Sequence, residues 1–206
     1  SELKLPRGLE YIGGNAFFFF RNFTGTFYLP SKLEYLGESA FESCGTGLTG
    51  DIVIPSTISE IPPRAFDGMG FKNGTTLKMH DGISKIGEGA FSGTRIKNSI
   101  EWPKNLISIE KRAFYLAGLI MNEFVFPDNI RKVAAEAFWN NRIGGTLVIP
   151  ENFDIVDCAF PNTDIKEVIV GDKTVQLGNG AFRSCGQLER VTLGKNIDYI
   201  GQFALG

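Results

Sequence analysis

Apolar and polar positions alternate in short bursts along this chain, and each burst stops at the same kind of residue. Phe27 and Leu29 precede Pro30, Ile52 and Ile54 precede Pro55, and Phe124 and Phe126 precede Pro127. The same pair recurs as Leu77 and Met79, Ile100 and Trp102, Leu147 and Ile149, Val168 and Val170, and Val191 and Leu193. Period-two alternation predicts a strand with one buried face. Proline then ends the strand, because it lacks the N–H that a ladder needs.

A second marker runs in step. Ala-Phe recurs at 16–17, 40–41, 65–66, 90–91, 113–114, 137–138, 159–160 and 181–182, and Ala204-Leu205 extends the series. The Phe-to-Phe intervals are 24, 25, 25, 23, 24, 22 and 22 residues. The proline slot stands 11 residues before its Phe, or 10 at Pro150; His80, Gly171 and Gly194 occupy it where proline is missing. A period of 20–29 residues with this spacing predicts a solenoid whose repeats each need a neighbour to bury their apolar face. The whole chain, 1–206, then reads as one elongated leucine-rich-repeat domain of eight to nine coils. Its strands stack into a parallel sheet, roughly 40 Å along nine strands.

Five residues before the slot stand Gly25, Gly50, Asn98, Asn122 and Gly145. Glycine and asparagine tolerate positive φ, so a bulge or bend is expected at strand entry. After the slot comes a second apolar pair, such as Leu33 and Leu36 or Ile58 and Ile61, then glycine and Ala-Phe. This half is expected to form short turns or 3₁₀ segments on the face opposite the sheet. Small Ala beside large Phe suits a coil corner, and stacked Phe rings would add ~0.5–1.5 kcal/mol per pair.

Strings such as LTGDIVIPSTISEIPPRAF and LKMHDGISKIGEGAFSG resemble the BspA-like leucine-rich repeat proteins of bacterial cell surfaces. The resemblance spans nearly the whole chain and departs at His80, Gly171, Gly194 and the shortened coil around Phe160. It implies a surface or secreted protein that adheres to host matrix proteins or to other cells.

Composition narrows the function classes. With 43% hydrophobic residues and a net charge of −2, disorder is disfavoured. A pI near 5.6 gives no basic field for nucleic acid, and no apolar run is long enough to span a membrane. No cofactor and no metal are expected. His80 is the single histidine and sits in the proline slot, which reads as a strand-end residue. A triad or a zinc site would need partners that no spacing supplies. Cys44 and Cys185 occupy a column three after Phe, shared with Phe20, Met69, Thr94, Ala117 and Asn141, and read as a small semi-buried slot. At about 29 Å apart by strand spacing they cannot bridge; Cys158 and Cys185 lie in different columns. The pairs Gly87/Gly89 and Gly178/Gly180 belong to the repeat, not to a phosphate loop.

Function in a solenoid lives on exposed columns. Two before the slot, the outward column reads Lys4, Tyr28, Val53, Lys78, Glu101, Val125, Val148, Ile169 and Thr192. Val125, Val148 and Ile169 fall in consecutive coils and predict an apolar patch. Together with Tyr28, Lys78 and Glu101 they form the candidate partner-binding set. A second column holds Tyr11, Tyr35 and Tyr199, interrupted by Glu60, Lys85, Ser108 and Lys132.

The chain begins at Ser1 and stops at Gly206 inside repeats, so a fragment of a longer array is expected, with end-to-end association through free strand edges. The expected function is a non-enzymatic recognition or adhesion module that binds a host or matrix protein, another cell surface or a glycan through the sheet face. The alternative is a structural spacer that displays other domains.

Overall fold

A computed structural model describes residues 2–97, 100–151, 153, 155–156 and 158–206. The chain winds into a parallel β-solenoid of about eight turns, with no helix among the described residues. One ladder lies before the proline slot. It comprises three sheets: Thr24–Phe27 with Gly47–Gly50, Ile52–Val53 with Leu77–Lys78, and Phe124–Val125, Arg142–Ile149, Asp164–Val170 and Arg190–Thr192. Every pairing is parallel and in step with the repeat, for example Phe124 with Leu147 and Leu147 with Val168.

The half after the slot carries more regular structure than turns. It holds a second parallel ladder of two-residue strands, among them Tyr11–Ile12, Tyr35–Leu36, Glu60–Ile61, Lys85–Ile86, Ser108–Ile109 and Lys132–Val133. In each of these six, one side chain of the pair is buried and the other is exposed or half-buried. No 3₁₀ segment occurs among the described residues. The proline slot joins the two ladders by a turn: the N–H three residues on donates to the slot carbonyl, as Leu33 to Pro30 (3.1 Å) and Ile58 to Pro55 (3.0 Å). His80, Gly171 and Gly194 accept in the same way.

The bend at strand entry is confirmed at three of its five positions. Gly25 and Gly50 adopt φ of 94° and Gly145 of 72°. A Cβ on Gly145 would lie 2.0 Å from the Asn122 carbonyl oxygen, so close approach of the coils demands glycine there. Asn122 takes no positive φ, and its carbonyl lies against Gly145 of the next coil. Asn98 lies outside the described residues.

The left-handed residues concentrate at the corner. The residue before Ala and the residue two after Phe both have positive φ in most coils: Asn15 and Phe19, Ser39 and Ser43, Arg64 and Gly68, Arg112 and Leu116, Glu136 and Asn140. Between them, successive N–H groups alternate in destination. Phe17 donates to Ala40 of the next coil (2.8 Å), while Phe18 donates back to Asn15 (3.2 Å). The corner is thus a third line of coil-to-coil hydrogen bonds, running through Phe41 to Ala65, Phe66 to Ala90 and Phe91 to Ala113.

Inside this corner the recurring rings form one spine. From Phe17 through Phe41, Phe66, Phe91, Phe114, Phe138 and Phe160 to Phe182, each stacks on the next at 5.0–6.2 Å. The column three after Phe lies deeper than the semi-buried slot expected from its mixed residue types: Cys44, Met69, Thr94, Ala117 and Asn141 are all buried. Its polar members stay satisfied by reaching back one coil. Thr94 Oγ1 and Asn141 Nδ2 each donate to the previous coil's Phe carbonyl at 2.7 Å, and Cys185 Sγ does so at 3.2 Å. Phe20 differs, being exposed on the first coil. On the last coil Val191 is half-buried and Leu193 exposed, although both sit in columns that neighbouring coils cover elsewhere.

Candidate partner-binding face

The first ladder aims alternate side chains outward because its inward set is pinned in the core. Leu147 and Ile149 are buried, so Val148 between them faces solvent. Val125, Val148 and Ile169 are 62%, 43% and 36% exposed. The register sets Val125 beside Val148 and Val148 beside Ile169. Three β-branched side chains on adjacent strands therefore form one continuous apolar stripe. Thr192 continues the register next to Ile169.

Polar groups border the stripe. Thr146 Oγ1 lies 3.1 Å from Glu167 Oε2, and Arg190 Nε lies 2.9 Å from Glu167 Oε1. Beside Val125 a cleft of about 380 Å³ opens between coils, lined by Trp102, Lys104, Glu123 and Phe126. A second groove, of about 500 Å³, lies at the entry to the same strands. Asn122, Arg142, Asp164, Lys166 and Gln187 line it, with exposed Ile120. The face thus combines an apolar centre with mixed-charge margins, the composition of a polar-rimmed protein contact.

The other three candidates lie in the same column but in different surroundings. Lys78 Nζ is held 3.2 Å from Asp51 of the preceding coil, which lowers the Asp51 carboxyl from its ordinary value. Tyr28 donates its hydroxyl to the Leu5 carbonyl. Glu101 is exposed. The register brings Val53 beside Lys78, away from the valine–isoleucine stripe. The candidate set is therefore one contiguous patch of three residues and three separate outposts.

The chemistry-bearing residues are all occupied structurally. His80 Nε2 lies 3.0 Å from both the Pro55 and Ile58 carbonyls, and Nδ1 accepts from Gly82 N–H at 3.1 Å. That pattern places the proton on Nε2 and makes the ring a bridge between coils. Cys44 and Cys185 are free thiols. Burial pushes the Cys44 thiol up to about 12. Among the described residues, no group of three His, Cys, Asp or Glu side chains is placed to hold a metal ion.

Exposed aromatics were less legible. Phe18, Phe19 and Phe20 all reach solvent, with the Arg21 guanidinium 4.6 Å from the Phe19 ring. Tyr11 and Tyr35 stack face to face at 4.5 Å. The repeat itself carried the tyrosine signal, since both hold the same slot.

Repeat by repeat, residues 1–117, 69–173 and 116–206 match the BspA type leucine rich repeat region, in six copies. The chain belongs to that family. Two solved structures are similar to it. A leucine rich cell surface protein from Faecalibacterium prausnitzii A2-165 aligns over 91% of this chain at 16% identity and a TM-score of 0.49, and the chain spans 65% of that protein. A leucine-rich repeat protein from Bacteroides ovatus ATCC 8483 aligns over 99% of this chain and 77% of its own length, at 18% identity and a TM-score of 0.47. No curated protein matches the sequence.

Proposed function

We propose that this BspA-type chain is a non-enzymatic recognition module, surface-displayed or secreted, that binds a protein partner through the first ladder. The observation that carries this reading is the stripe of Val125, Val148 and Ile169 on three registered strands, open to water in a position where threonine or lysine would serve folding equally well. The ordered backbone beneath holds the stripe rigid, so little conformational entropy is lost on binding. The mixed charges along its margins, Glu123, Glu167, Arg190 and Lys166, suit a partner that is itself a folded protein surface.

The test is the double variant Val148→Asp, Ile169→Lys, assayed against a panel of immobilised extracellular matrix proteins. Both side chains point outward, so the melting temperature should stay within a few degrees of the parent. Binding of any captured partner should fall at least tenfold. A folded double variant that binds as the parent does would remove the stripe from consideration.

A further inference from the structure

The second ladder is interrupted between the second and third coils, where a proline stands in a donor position. Elsewhere the residue four before Phe donates its N–H to the preceding coil: Gly37 to Ile12 and Gly87 to Ile61, each at 2.8 Å, and Glu110 to Ile86 and Ala134 to Ile109, each at 2.9 Å. In the third coil that residue is Pro62, which has no N–H to give. The equivalent bond to the Leu36 carbonyl is missing. So is the bond from Ser59 to Glu34, although Glu34, Ser84, Ile107 and Arg131 all donate from that place to the coil before. The pairs Tyr35–Leu36 and Glu60–Ile61 consequently belong to different sheets.

The split opens a cleft of about 450 Å³, lined by Glu34, Tyr35, Glu38, Ser59, Glu60 and Pro62. Exposed Tyr35 forms one wall, its ring stacked on Tyr11 with the planes 8° apart. The charge here is unbalanced. Elsewhere on the solenoid several acids pair with a cation one coil away, as in Asp51–Lys78, Asp81–Lys104, Glu110–Lys132, Glu167–Arg190 and Asp172–Lys195. No ion pair among the described residues reaches Glu34, Glu38 or Glu60, even though Lys85 is the register neighbour of Glu60.

We propose that this cleft docks an extended, arginine- or lysine-bearing segment of a protein partner. Three carboxylates supply the counter-charge, and the outer tyrosine face receives a guanidinium or ammonium by cation–π attraction. The Glu34 and Leu36 carbonyls, released from the ladder, accept from the segment's donors. This site is separate from the valine–isoleucine stripe and does not depend on it.

A fluorescein-labelled hexapeptide of alternating arginine and glycine is titrated in fluorescence anisotropy, with an alternating glutamate–glycine peptide as control. Saturable binding of the arginine peptide is expected, weakened at high salt. Two variants should lower its affinity at least tenfold while leaving circular dichroism unchanged: Tyr35→Ser, and the triple Glu34→Gln, Glu38→Gln, Glu60→Gln. Pro62→Gly restores the missing donor and should close the cleft, weakening binding and slowing amide exchange at residues 59–62. The stripe variant Val148→Asp, Ile169→Lys should bind the peptide as the parent does. Equal affinity in the triple-Gln protein, or loss of binding only in the stripe variant, would overturn the proposal.

Discussion

The rings of Phe114 and Phe138 lie one above the other, 5.5 Å between centroids and 2° from parallel. Trp102 meets both edge-on, at 5.6 and 5.9 Å, so the pair is packed from the side as well as along the spine. Phe114 is fully buried and also contacts Phe91. Phe114→Ala should therefore cost about 3–5 kcal/mol of stability, through lost transfer energy plus a cavity that the rigid corner cannot close. Phe114→Leu should cost distinctly less. Urea denaturation of the two variants checks this; a loss under 1 kcal/mol for the alanine would mean the column is not the core of the fold.

That spine was readable because Phe recurs at nearly constant spacing, and the strand faces because apolar pairs bracket a single outward residue. Two features left no such trace. Two-residue strands such as Lys85–Ile86 carry too little alternation to be recognised, and their pairing depends on coils that lie more than twenty residues apart. The left-handed corner positions hold Arg64, Arg112, Leu116 and Glu136, residue types that disfavour positive φ and so give no signal. The candidate stripe was legible too, because each of its residues stands between two inward apolar neighbours. Pro62 stood in a glycine column in plain sight, yet its consequence follows only once the neighbouring N–H groups are seen to bridge coils.

Leu116 is held at φ 51° and is exposed, so its conformation is imposed by the corner and not repaid by burial. Its counterpart in the next coil is Asn140, at φ 55°. Leu116→Asn should relieve left-handed strain without the unfolded-state entropy that glycine adds, stabilising the protein by about 0.5–1 kcal/mol. Differential scanning calorimetry reads the effect. A lower melting temperature would show that the leucine side chain contributes more by packing than its backbone strain costs.

Asp67 and Asp172 should respond to pH in opposite senses. Burial, aided by the charge of Glu42, raises the Asp67 carboxyl above its ordinary 3.8 despite a hydrogen bond from Ser92. A raised carboxyl favours folding below the unfolded value and loses that contribution as pH rises through the folded value. Asp67→Asn should accordingly melt higher than the parent at pH 7, with the gap closing below about pH 4. Asp172 is lowered by the Lys195 backbone N–H, at 3.1 Å, and by its ammonium, at 3.2 Å. Its contribution is present above the unfolded value and disappears as pH falls through the folded one, so Asp172→Asn should melt lower at pH 7 and match the parent in acid. Melting curves from pH 3 to 8 separate the two; parallel profiles would contradict both assignments.

The three thiols should differ in reactivity, because the coils treat them differently. Cys44 is fully buried in the column behind Phe41, and its thiol is pushed up to about 12, so little thiolate exists at neutral pH. Cys185 is buried as well and donates its Sγ–H to the Phe160 carbonyl. Cys158 is only half-buried, at the corner of the shortened coil, with its sulfur near Gly180. Ellman's reagent at pH 8 should label one thiol in the native protein, at Cys158, and all three in urea. The slow native labelling of Cys44 should track global unfolding, since only separation of neighbouring coils exposes it. Prompt labelling of Cys44 under native conditions would mean that the coils around Phe41 open independently of the rest of the array.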